Sequence, residues 1–346
     1  MDMIDTSAPA NARTLTPRPA VTLDELLAGA VDREPMKTAE SLSSATFERL
    51  TIGGERFVVK YLHCGDDWVM RATGDVTCRP YVMWTSGLYD ALADVVDPTV
   101  AGCASGLGRH GWGAALLMRD VREHLVPDGD DVVDAETHAR LLDNMAAMHA
   151  RFWGFRDTVG LAPAGNRLAM LTPWTTAAEA ELGSGETIPR LVGDGWRALP
   201  EVSPRAGGIA VELLADLTPL LAALDAQPHT LVHGDWKLGN LGLHPDGRSI
   251  VLDWAFPGEA AACADLAWYL GVNCDRLAPS KEDAIDTYRA ALERHGVATD
   301  GWWDAQLGLC LIGHFVQMAW SKVGNGPDDE LRWWEERVVD AERYLS

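Results

Sequence analysis

The feature that most constrains the fold is a short stretch of β-like sequence inside the otherwise helical second half of the chain. It consists of the run LVHGDWKLGN, a turn at Pro245-Asp246-Gly247, and the run IVLDW. A Pro-Asp-Gly turn between two apolar runs is typical of two short strands joined by a hairpin. Such a hairpin brings Asn240, at the end of the first run, close to Asp253 in the second.

The polar side chains of this stretch are of the kinds that one reaction, phosphoryl transfer, requires. Asn240 and Asp253 carry amide and carboxylate oxygens, which are hard ligands suited to Mg²⁺ bridging phosphates. Asp235 can accept a proton from an attacking hydroxyl group, and Lys237 can meet the charge of a phosphoryl group in transit. The four residues together indicate phosphoryl transfer to a hydroxyl group.

The region before this stretch favours a small antiparallel sheet. The runs ATFERLTI and ERFVVKYL are strand-like, and Gly53-Gly54 between them predicts a tight hairpin, because primed turns need positive φ. Two more strands are predicted near residues 99–103 and 114–118, and one helix over 78–95. Lys60 lies inside the second run, flanked by apolar residues.

The two ends of the chain complete the predicted architecture. Residues 1–36 are predicted to be a flexible arm (1–20) followed by a short helix, with Thr22 as its N-cap and Glu25 closing a capping box. From residue 134 apolar residues recur at helical spacing, apart from an irregular stretch over 154–208. The sequence therefore predicts an α+β chain, with the sheet and one helix in residues 37–121 and a mainly helical part in 122–346.

The segments HGDWKLGN and LDW resemble the H-G-D-x-x-x-x-N and D-[WFYL] motifs of the aminoglycoside phosphotransferase and choline kinase-like family, relatives of the protein kinases. Other segments are similar to that family as well. VVKYL resembles the strand that carries the phosphate-binding Lys, ALLMRDV the hinge strand, LLDNMAAMHARFW the helix after the hinge, and CADLAWYL the helix after the metal ligand. The resemblance covers roughly residues 37–345 and implies a two-lobed protein-kinase-like fold.

The resemblance also implies ATP and Mg²⁺ as cofactors and a role for each motif residue. Asp235 would be the catalytic base, supported by Lys237 and by His233, which orients the loop through hydrogen bonding with Asp265. Asn240 and Asp253 would hold the metal. The nucleotide would be bound by the N-terminal lobe and the hinge, at Lys60, Ser41, Ser43, Ser44, Met118, Asp120 and Val121.

One position departs from the family pattern. The kinase Lys is normally paired with a Glu on the following helix, but here the chain reads TCRPY, with Pro80 where many relatives have Glu. Asp75 and Asp90 are possible substitutes as partners of Lys60. The resemblance therefore leaves the partner of Lys60 open.

The C-terminal helices are where this family builds its acceptor site. The candidates in this chain are Trp302, Trp303, Asp304 and Asp275, which could stack on a sugar ring and face a cationic amine. The alternative is that the tryptophans only pack helices together and that the acids are solvated.

The acidity of the chain narrows the choice of partners. Lys plus Arg total 29 against 51 Asp plus Glu, a formal charge of −22, which argues against nucleic acid and membrane surfaces and favours a cationic small molecule. The six cysteines form no C-x-x-C pair and no apolar leader is present, so a cytoplasmic location is expected. The oligomeric state is left open.

The function predicted from these observations is an ATP- and Mg²⁺-dependent kinase that phosphorylates a hydroxyl group of an aminoglycoside or aminosugar type of acceptor. A choline-, ethanolamine- or homoserine-type kinase is the alternative within the same class. Two alternatives from other classes are a catalytically silent nucleotide-binding module, favoured only by Pro80, and a metal-dependent hydrolase built on His233 and Asp235.

Overall fold

The structure is a computed structural model that describes residues 15–36, 45–183, 187–324 and 328–345. Ten strands are formed by these residues: β1 (Val31–Met36), β2 (Thr46–Ile52), β3 (Glu55–Leu62), β4 (Val96–Asp97), β5 (Val100–Leu107), β6 (Gly113–Arg119), β7 (His229–Val232), β8 (Leu241–Leu243), β9 (Ser249–Val251) and β10 (Gly258–Ala261).

The same residues form fourteen α-helices. They are α1 (Leu23–Leu26), α2 (Trp68–Ala72), α3 (Arg79–Ser86), α4 (Leu88–Leu92), α5 (Ala135–Arg151), α6 (Ala164–Ala169), α7 (Pro173–Glu181), α8 (Thr187–Val202), α9 (Pro204–Ala215), α10 (Thr218–Asp225), α11 (Cys263–Val272), α12 (Lys281–Arg294), α13 (Trp303–Met318) and α14 (Asp329–Ala341).

The N-terminal lobe is built on an antiparallel sheet with the strand order β1-β2-β3-β6-β5. The predicted hairpin between β2 and β3 is confirmed, since Gly53 and Gly54 both adopt positive φ, +60° and +86°. Small and branched side chains of β3, β5 and β6 form an apolar layer that α1 covers through Leu26. The capping box of α1 is also confirmed: Thr22 N–H donates to the Glu25 carboxylate at 2.8 Å, and Glu25 N–H donates back to the Thr22 hydroxyl at 3.3 Å.

The predicted single helix over 78–95 is wrong. The chain forms α3 and α4 with a break at Gly87, which adopts φ +79° and caps one helix while starting the other. A Cβ atom at this position would collide with the carbonyl group of Thr16. The short helix α2 also precedes them, so the N-terminal lobe holds more helix than the single one expected.

The segment before the sheet also differs from the prediction. Residues 1–14 of the predicted flexible arm lie outside the described residues, but residues 15–20 run against α3 and α4. Arg18 forms an ion pair of 2.6 Å with Asp90, and the indole of Trp84 donates to the Pro19 carbonyl at 3.1 Å. Residues 31–36, assigned to the arm and leading helix, form the edge strand β1 of the sheet. Tertiary contacts order this stretch, and composition alone does not reveal them.

The C-terminal lobe is mainly helical, and its core runs through α5, α11, α12 and α13. The chain also forms two small sheets, with the strand orders β10-β7 and β4-β9-β8. The predicted hairpin β8-β9 is present, with Gly247 at φ +97° in its turn. Parallel pairing of β4 with β9 joins the segment before β5 to this hairpin. An antiparallel N-terminal sheet followed by a helical C-terminal region confirms the predicted α+β class.

Within the described ranges no single helix is long and apolar enough to cross a membrane. Only the pair α9 and α10, bent by 89° at their junction, meets the length and composition criteria when taken together.

Candidate active site

One buried carboxylate fixes the loop that follows β7 by accepting two backbone hydrogen bonds from it. Both oxygens of Asp265, in the first turn of α11, accept backbone N–H groups at 2.7 Å, one from His233 and one from Gly234. Gly234 adopts φ +83°, and a Cβ atom there would collide with the carbonyl oxygen of Phe256. The glycine of the motif is therefore required for the close approach of two loops.

His233 does hydrogen-bond with Asp265, through its backbone N–H, and its ring makes two further contacts with the same part of the site. Its Nε2 lies 2.9 Å from the Leu252 carbonyl, and its Nδ1 accepts the Asp235 N–H at 3.1 Å. This pattern requires the neutral ring with the proton on Nε2. Burial lowers the pKa of His233 despite the nearby carboxylates, in agreement with that form. The geometry supports a positioning role.

Asp235 is buried, with 5% of its surface exposed, and both carboxylate oxygens are engaged. Oδ1 accepts from the indole Nε1 of Trp268 at 2.8 Å. Oδ2 accepts from Asn240 Nδ2 at 2.8 Å and lies 3.2 Å from Lys237 Nζ. The structure thus brings Asp235, Lys237 and Asn240 together as predicted, and it adds Trp268, which the sequence analysis missed.

The hairpin places the two predicted metal ligands side by side. The Leu252 N–H donates to the Asn240 carbonyl at 2.8 Å, directly before Asp253. Because Asn240 Nδ2 is bound to Asp235, its side-chain oxygen is the atom left to face a ligand. Asp253 adopts φ +55°, in the left-handed region that Asp tolerates better than most residues.

The residues present fit a Mg²⁺ ion that also binds phosphates. In the described part of the chain no group of three or more His, Cys, Asp or Glu side chains is placed to hold a metal ion. Mg²⁺ in nucleotide sites takes only one or two protein oxygens and completes its shell with phosphate oxygens and water. The Asp253 carboxylate and the Asn240 side-chain oxygen are such a donor pair.

Lys60 pairs with Asp253, across the two lobes. Its Nζ lies 2.6 Å from Asp253 Oδ1, and the side chain is buried. Burial favours the neutral acid, but the charge and hydrogen bond of Lys60, together with the charge of Lys237, hold the pKa of Asp253 below its ordinary value. The two acids proposed as partners are occupied elsewhere: Asp75 accepts the Arg79 N–H, and Asp90 pairs with Arg18.

A small cavity that opens to solvent adjoins this ion pair. It is lined by residues from both lobes, including Lys60, Pro80, Tyr89, Met118, Asp253 and Trp254. The Tyr89 hydroxyl has no hydrogen-bond partner among the described residues. Pro80, where relatives were expected to carry Glu, is in the first turn of α3 and forms part of the wall.

The other predicted nucleotide ligands are placed differently. Met118 lines the cavity, but Asp120 and Val121 do not. The Asp120 N–H donates to the Arg56 carbonyl at 3.1 Å, and its side chain pairs with Arg122. Ser41, Ser43 and Ser44 lie outside the described residues.

The predicted acceptor residues are not brought together at a cavity. Trp303 is buried in the core, and Trp302 packs against Trp153 with ring centroids 5.3 Å apart. Asp304 and Asp275 are exposed on the surface. This placement favours the helix-packing alternative for the two tryptophans.

A side chain that the sequence analysis did not single out ties the lobes together near the site. Arg79, buried in α3, donates to the Thr73 carbonyl at 2.6 Å and to the Ala255 carbonyl at 3.2 Å. Ala255 lies two residues after Asp253. The Arg79 side chain therefore connects α3 to the loop that follows the candidate metal ligand. No local sequence signal marks this contact, because it joins positions 176 residues apart.

Solved structures with a similar fold are phosphotransferases. One is an aminoglycoside phosphotransferase from Streptomyces rimosus in complex with ADP and streptomycin, 22% identical, with a TM-score of 0.51 over 85% of this chain and 97% of that one. Another is a microcompartment-associated aminopropanol kinase, 13% identical, with a TM-score of 0.51 over 91% of this chain and 93% of that one. No curated protein sequence matches the chain.

The model of the phosphotransferase enzyme family, APH, matches residues 38–302, which is more than half of the chain. The matched range contains the loop after β7, the hairpin β8-β9 and Lys60, and the fold is that of the protein-kinase-like neighbours. The protein is an enzyme that transfers a phosphoryl group to a hydroxyl group of a small molecule, and the chain belongs to the phosphotransferase enzyme family.

Proposed function

We propose that this enzyme transfers the γ-phosphoryl group of ATP, with Mg²⁺, to a hydroxyl group of an amine-bearing or sugar-like acceptor. The observation that carries the proposal is a continuous set of contacts across the cleft. Lys60 pairs with Asp253, and the hairpin β8-β9 joins Asp253 to Asn240, whose amide binds Asp235. These contacts support a site in which Asp235 is the base, Asn240 and Asp253 hold the metal ion, and Lys60 binds phosphate.

Asp235 is the proposed base. In the reaction the acceptor oxygen forms a bond to the γ-phosphorus, the bond from that phosphorus to the β–γ bridging oxygen breaks, and ADP leaves. The acceptor proton passes to the Asp235 carboxylate. Trp268 and Asn240 fix the orientation of this carboxylate, and Lys237 balances the charge that the transferred group carries.

The nucleotide is proposed to enter the cavity between the lobes. Lys60, which now contacts Asp253, would bind phosphate oxygens, and the Asp253 carboxylate and the Asn240 side-chain oxygen would hold the metal ion. Bound Mg²⁺ would neutralise phosphate charge. Tyr89 and Trp254 offer ring surfaces beside the nucleotide, and Tyr89 also offers an unused hydroxyl group.

The acceptor class is supported by charge. A net charge of −22 favours a cationic amine over an anion in the approach to the protein, since the summed field attracts cations. A choline-, ethanolamine- or homoserine-type acceptor is the second candidate, and the first two, which are cations, have the same support from charge. A cytoplasmic location and the division into 37–121 and 122–346 stay predictions.

A Mg²⁺-dependent ATP-turnover assay across amines, sugars and aminoglycosides tests the proposal. Turnover that requires both Mg²⁺ and an acceptor is expected. The silent nucleotide-binding module would bind ATP but show no turnover with any acceptor, and a metal-dependent hydrolase would work without ATP. Either result would replace the proposed function.

A further inference from the structure

One buried hydroxyl group beside the proposed nucleotide site is unusual, that of Tyr89 in α4. Only 3% of the surface of Tyr89 is exposed, and its hydroxyl group makes no hydrogen bond to any described residue. The other two buried tyrosines in the described part of the chain do use theirs: Tyr269 contacts His138 at 3.0 Å, and Tyr288 contacts His149 at 2.6 Å. A buried hydroxyl group without a hydrogen bond destabilises a folded protein, so its presence here needs a reason.

The ring of Tyr89 is fixed in place. It meets the ring of Trp254 edge-on, with centroids 6.1 Å apart, and the Trp254 indole is itself held by a hydrogen bond of 2.9 Å to the Val251 carbonyl. Burial, the nearby Cys103 and the charge of Asp253 all raise the pKa of Tyr89 well above its ordinary value. The hydroxyl group therefore keeps its proton and is a donor on a fixed ring.

Asp253 offers an acceptor for this donor. Among the described residues that line the cavity it shares with Tyr89, it is the only one with a carboxylate. Its charge contributes to the raised pKa of Tyr89, so the two groups lie within electrostatic reach of each other. Oδ1 of Asp253 is bound to Lys60 at 2.6 Å. The carboxylate thus has one donor in contact with it and a second donor near by in the same cavity.

The helices α3 and α4 supply this hydroxyl group where the family pattern predicts a different polar group. The resemblance places a Glu partner of Lys60 on this segment, and the chain has Pro80 instead. In the described part of α3 and α4, the residues that line the cavity are Pro80 and Tyr89. Because a proline ring carries no polar group, the Tyr89 hydroxyl group is the polar side-chain group that these helices contribute.

We propose that Tyr89 is a positioning residue: when Lys60 binds phosphate, the Tyr89 hydroxyl group donates to the Asp253 carboxylate and keeps it oriented as a metal ligand. The inference rests on the proposed function and adds a second donor to its metal site. A partly buried carboxylate that loses its ammonium partner and gains no other donor is unfavourable. A hydrogen bond from a hydroxyl group to a carboxylate is among the stronger kinds, and it offsets this loss.

A double-mutant cycle in the protein without nucleotide tests the inference. Lys60→Met removes the ammonium group and leaves Asp253 to Tyr89, and Tyr89→Phe removes only the hydroxyl group. In the wild type that hydroxyl group has no described partner, so Tyr89→Phe should leave the unfolding equilibrium constant unchanged or lower it. In Lys60→Met the same change should raise that constant by about 10-fold or more, the range for a lost hydrogen bond to a charged group.

Tyr269→Phe is the matched control. It removes a buried hydroxyl group that contacts His138 and lies outside the nucleotide cavity. Its effect on the unfolding equilibrium constant should therefore be the same with Lys60 as with Lys60→Met. Urea denaturation of the single and double variants measures all of these constants.

Calorimetry of ATP binding gives a second measurement, which decides the inference if Lys60→Met fails to fold. Tyr89→Phe should reduce the gain in ATP affinity that Mg²⁺ supplies by about 10-fold, the range for loss of a group that orients a metal ligand. The affinity for metal-free ATP should stay unchanged, because the hydroxyl group acts on the metal ligand. Tyr269→Phe should keep both affinities.

Either of two results would overturn the inference: an equal effect of Tyr89→Phe in both backgrounds, or an unchanged Mg²⁺ dependence of ATP binding in Tyr89→Phe. The proposed function is judged separately, by turnover of Mg·ATP with an acceptor in the wild type. Turnover together with an additive cycle would leave that function standing without the role of Tyr89. Coupling and Mg·ATP binding without any turnover would sink the function and keep that role, and a wild type that binds no ATP would refute both.

Discussion

The indole Nε1 of Trp268 donates a hydrogen bond of 2.8 Å to Oδ1 of Asp235. A residue of α11, 33 positions away in the chain, thereby fixes the carboxylate that the motif supplies. Trp268→Phe keeps a ring and removes only the donor. We expect kcat to fall by about 10-fold because the base loses its orientation, while KM for ATP stays unchanged.

Steady-state kinetics of Trp268→Phe beside Trp174→Phe, an exposed tryptophan, provide the comparison. A wild-type kcat in Trp268→Phe would show that Asn240 and Lys237 orient Asp235 without the indole.

Asp235→Asn tests the base itself. The amide preserves the size of the side chain but cannot take the acceptor proton, so kcat should fall by about 100-fold or more. ATP affinity, measured by calorimetry, should change little because Asp235 does not line the nucleotide cavity. Near-normal turnover of Asp235→Asn would show that Asp235 is not the catalytic base.

Asp253→Ala separates metal-dependent from metal-free nucleotide binding. The substitution removes a proposed Mg²⁺ ligand and also frees Lys60 from its ion pair. We expect Mg²⁺ to lose its effect on ATP affinity, and metal-free ATP to bind at least as tightly as to the wild type. Calorimetric titrations with and without Mg²⁺ measure both effects. An unchanged Mg²⁺ dependence would place the metal ligands elsewhere.

His138 gives a prediction for the pH dependence of stability. Its ring is buried and contacts the Tyr269 hydroxyl at 3.0 Å, and burial lowers its pKa to about 4. The unfolded chain takes up the proton first, so the free energy of unfolding should fall as pH drops from about 6.5 to about 4 and then level off. The full contribution is about 3 kcal/mol.

Urea denaturation at pH 7 and pH 4.5 measures this loss. In His138→Gln the loss should be smaller by about 2–3 kcal/mol, whereas the exposed His110→Gln should behave as the wild type does. An equal loss in all three proteins would mean that other groups, such as the buried His314, account for the pH dependence.

The sequence predicted well what is encoded locally. The loop after β7, the β8-β9 hairpin and the capping box at Thr22 each depend on residues a few positions apart, so spacing and residue type were enough. The α+β class followed from the change from strand-like runs to helical periodicity.

What the sequence did not predict depends on distant contacts. Arg167 lies in the stretch 154–208, which has no motif. It comes to line a cavity only because the fold brings α6 next to α11 and α13. The partner of Lys60 was sought nearby, yet it lies 193 residues away. The break at Gly87 is fixed by the approach of Thr16. None of these leaves a periodic or local signal.

The leading segment has a consequence for how this protein is handled in the laboratory. Residues 15–20 contact α3 and α4 through Arg18 and Pro19, and those two helices carry Pro80 and Tyr89, which line the proposed nucleotide cavity. The segment therefore stabilises the two helices that line the proposed nucleotide site. A variant that begins at residue 21 would lose these contacts. Both its affinity for nucleotide and its melting temperature should therefore be lower than those of the full chain.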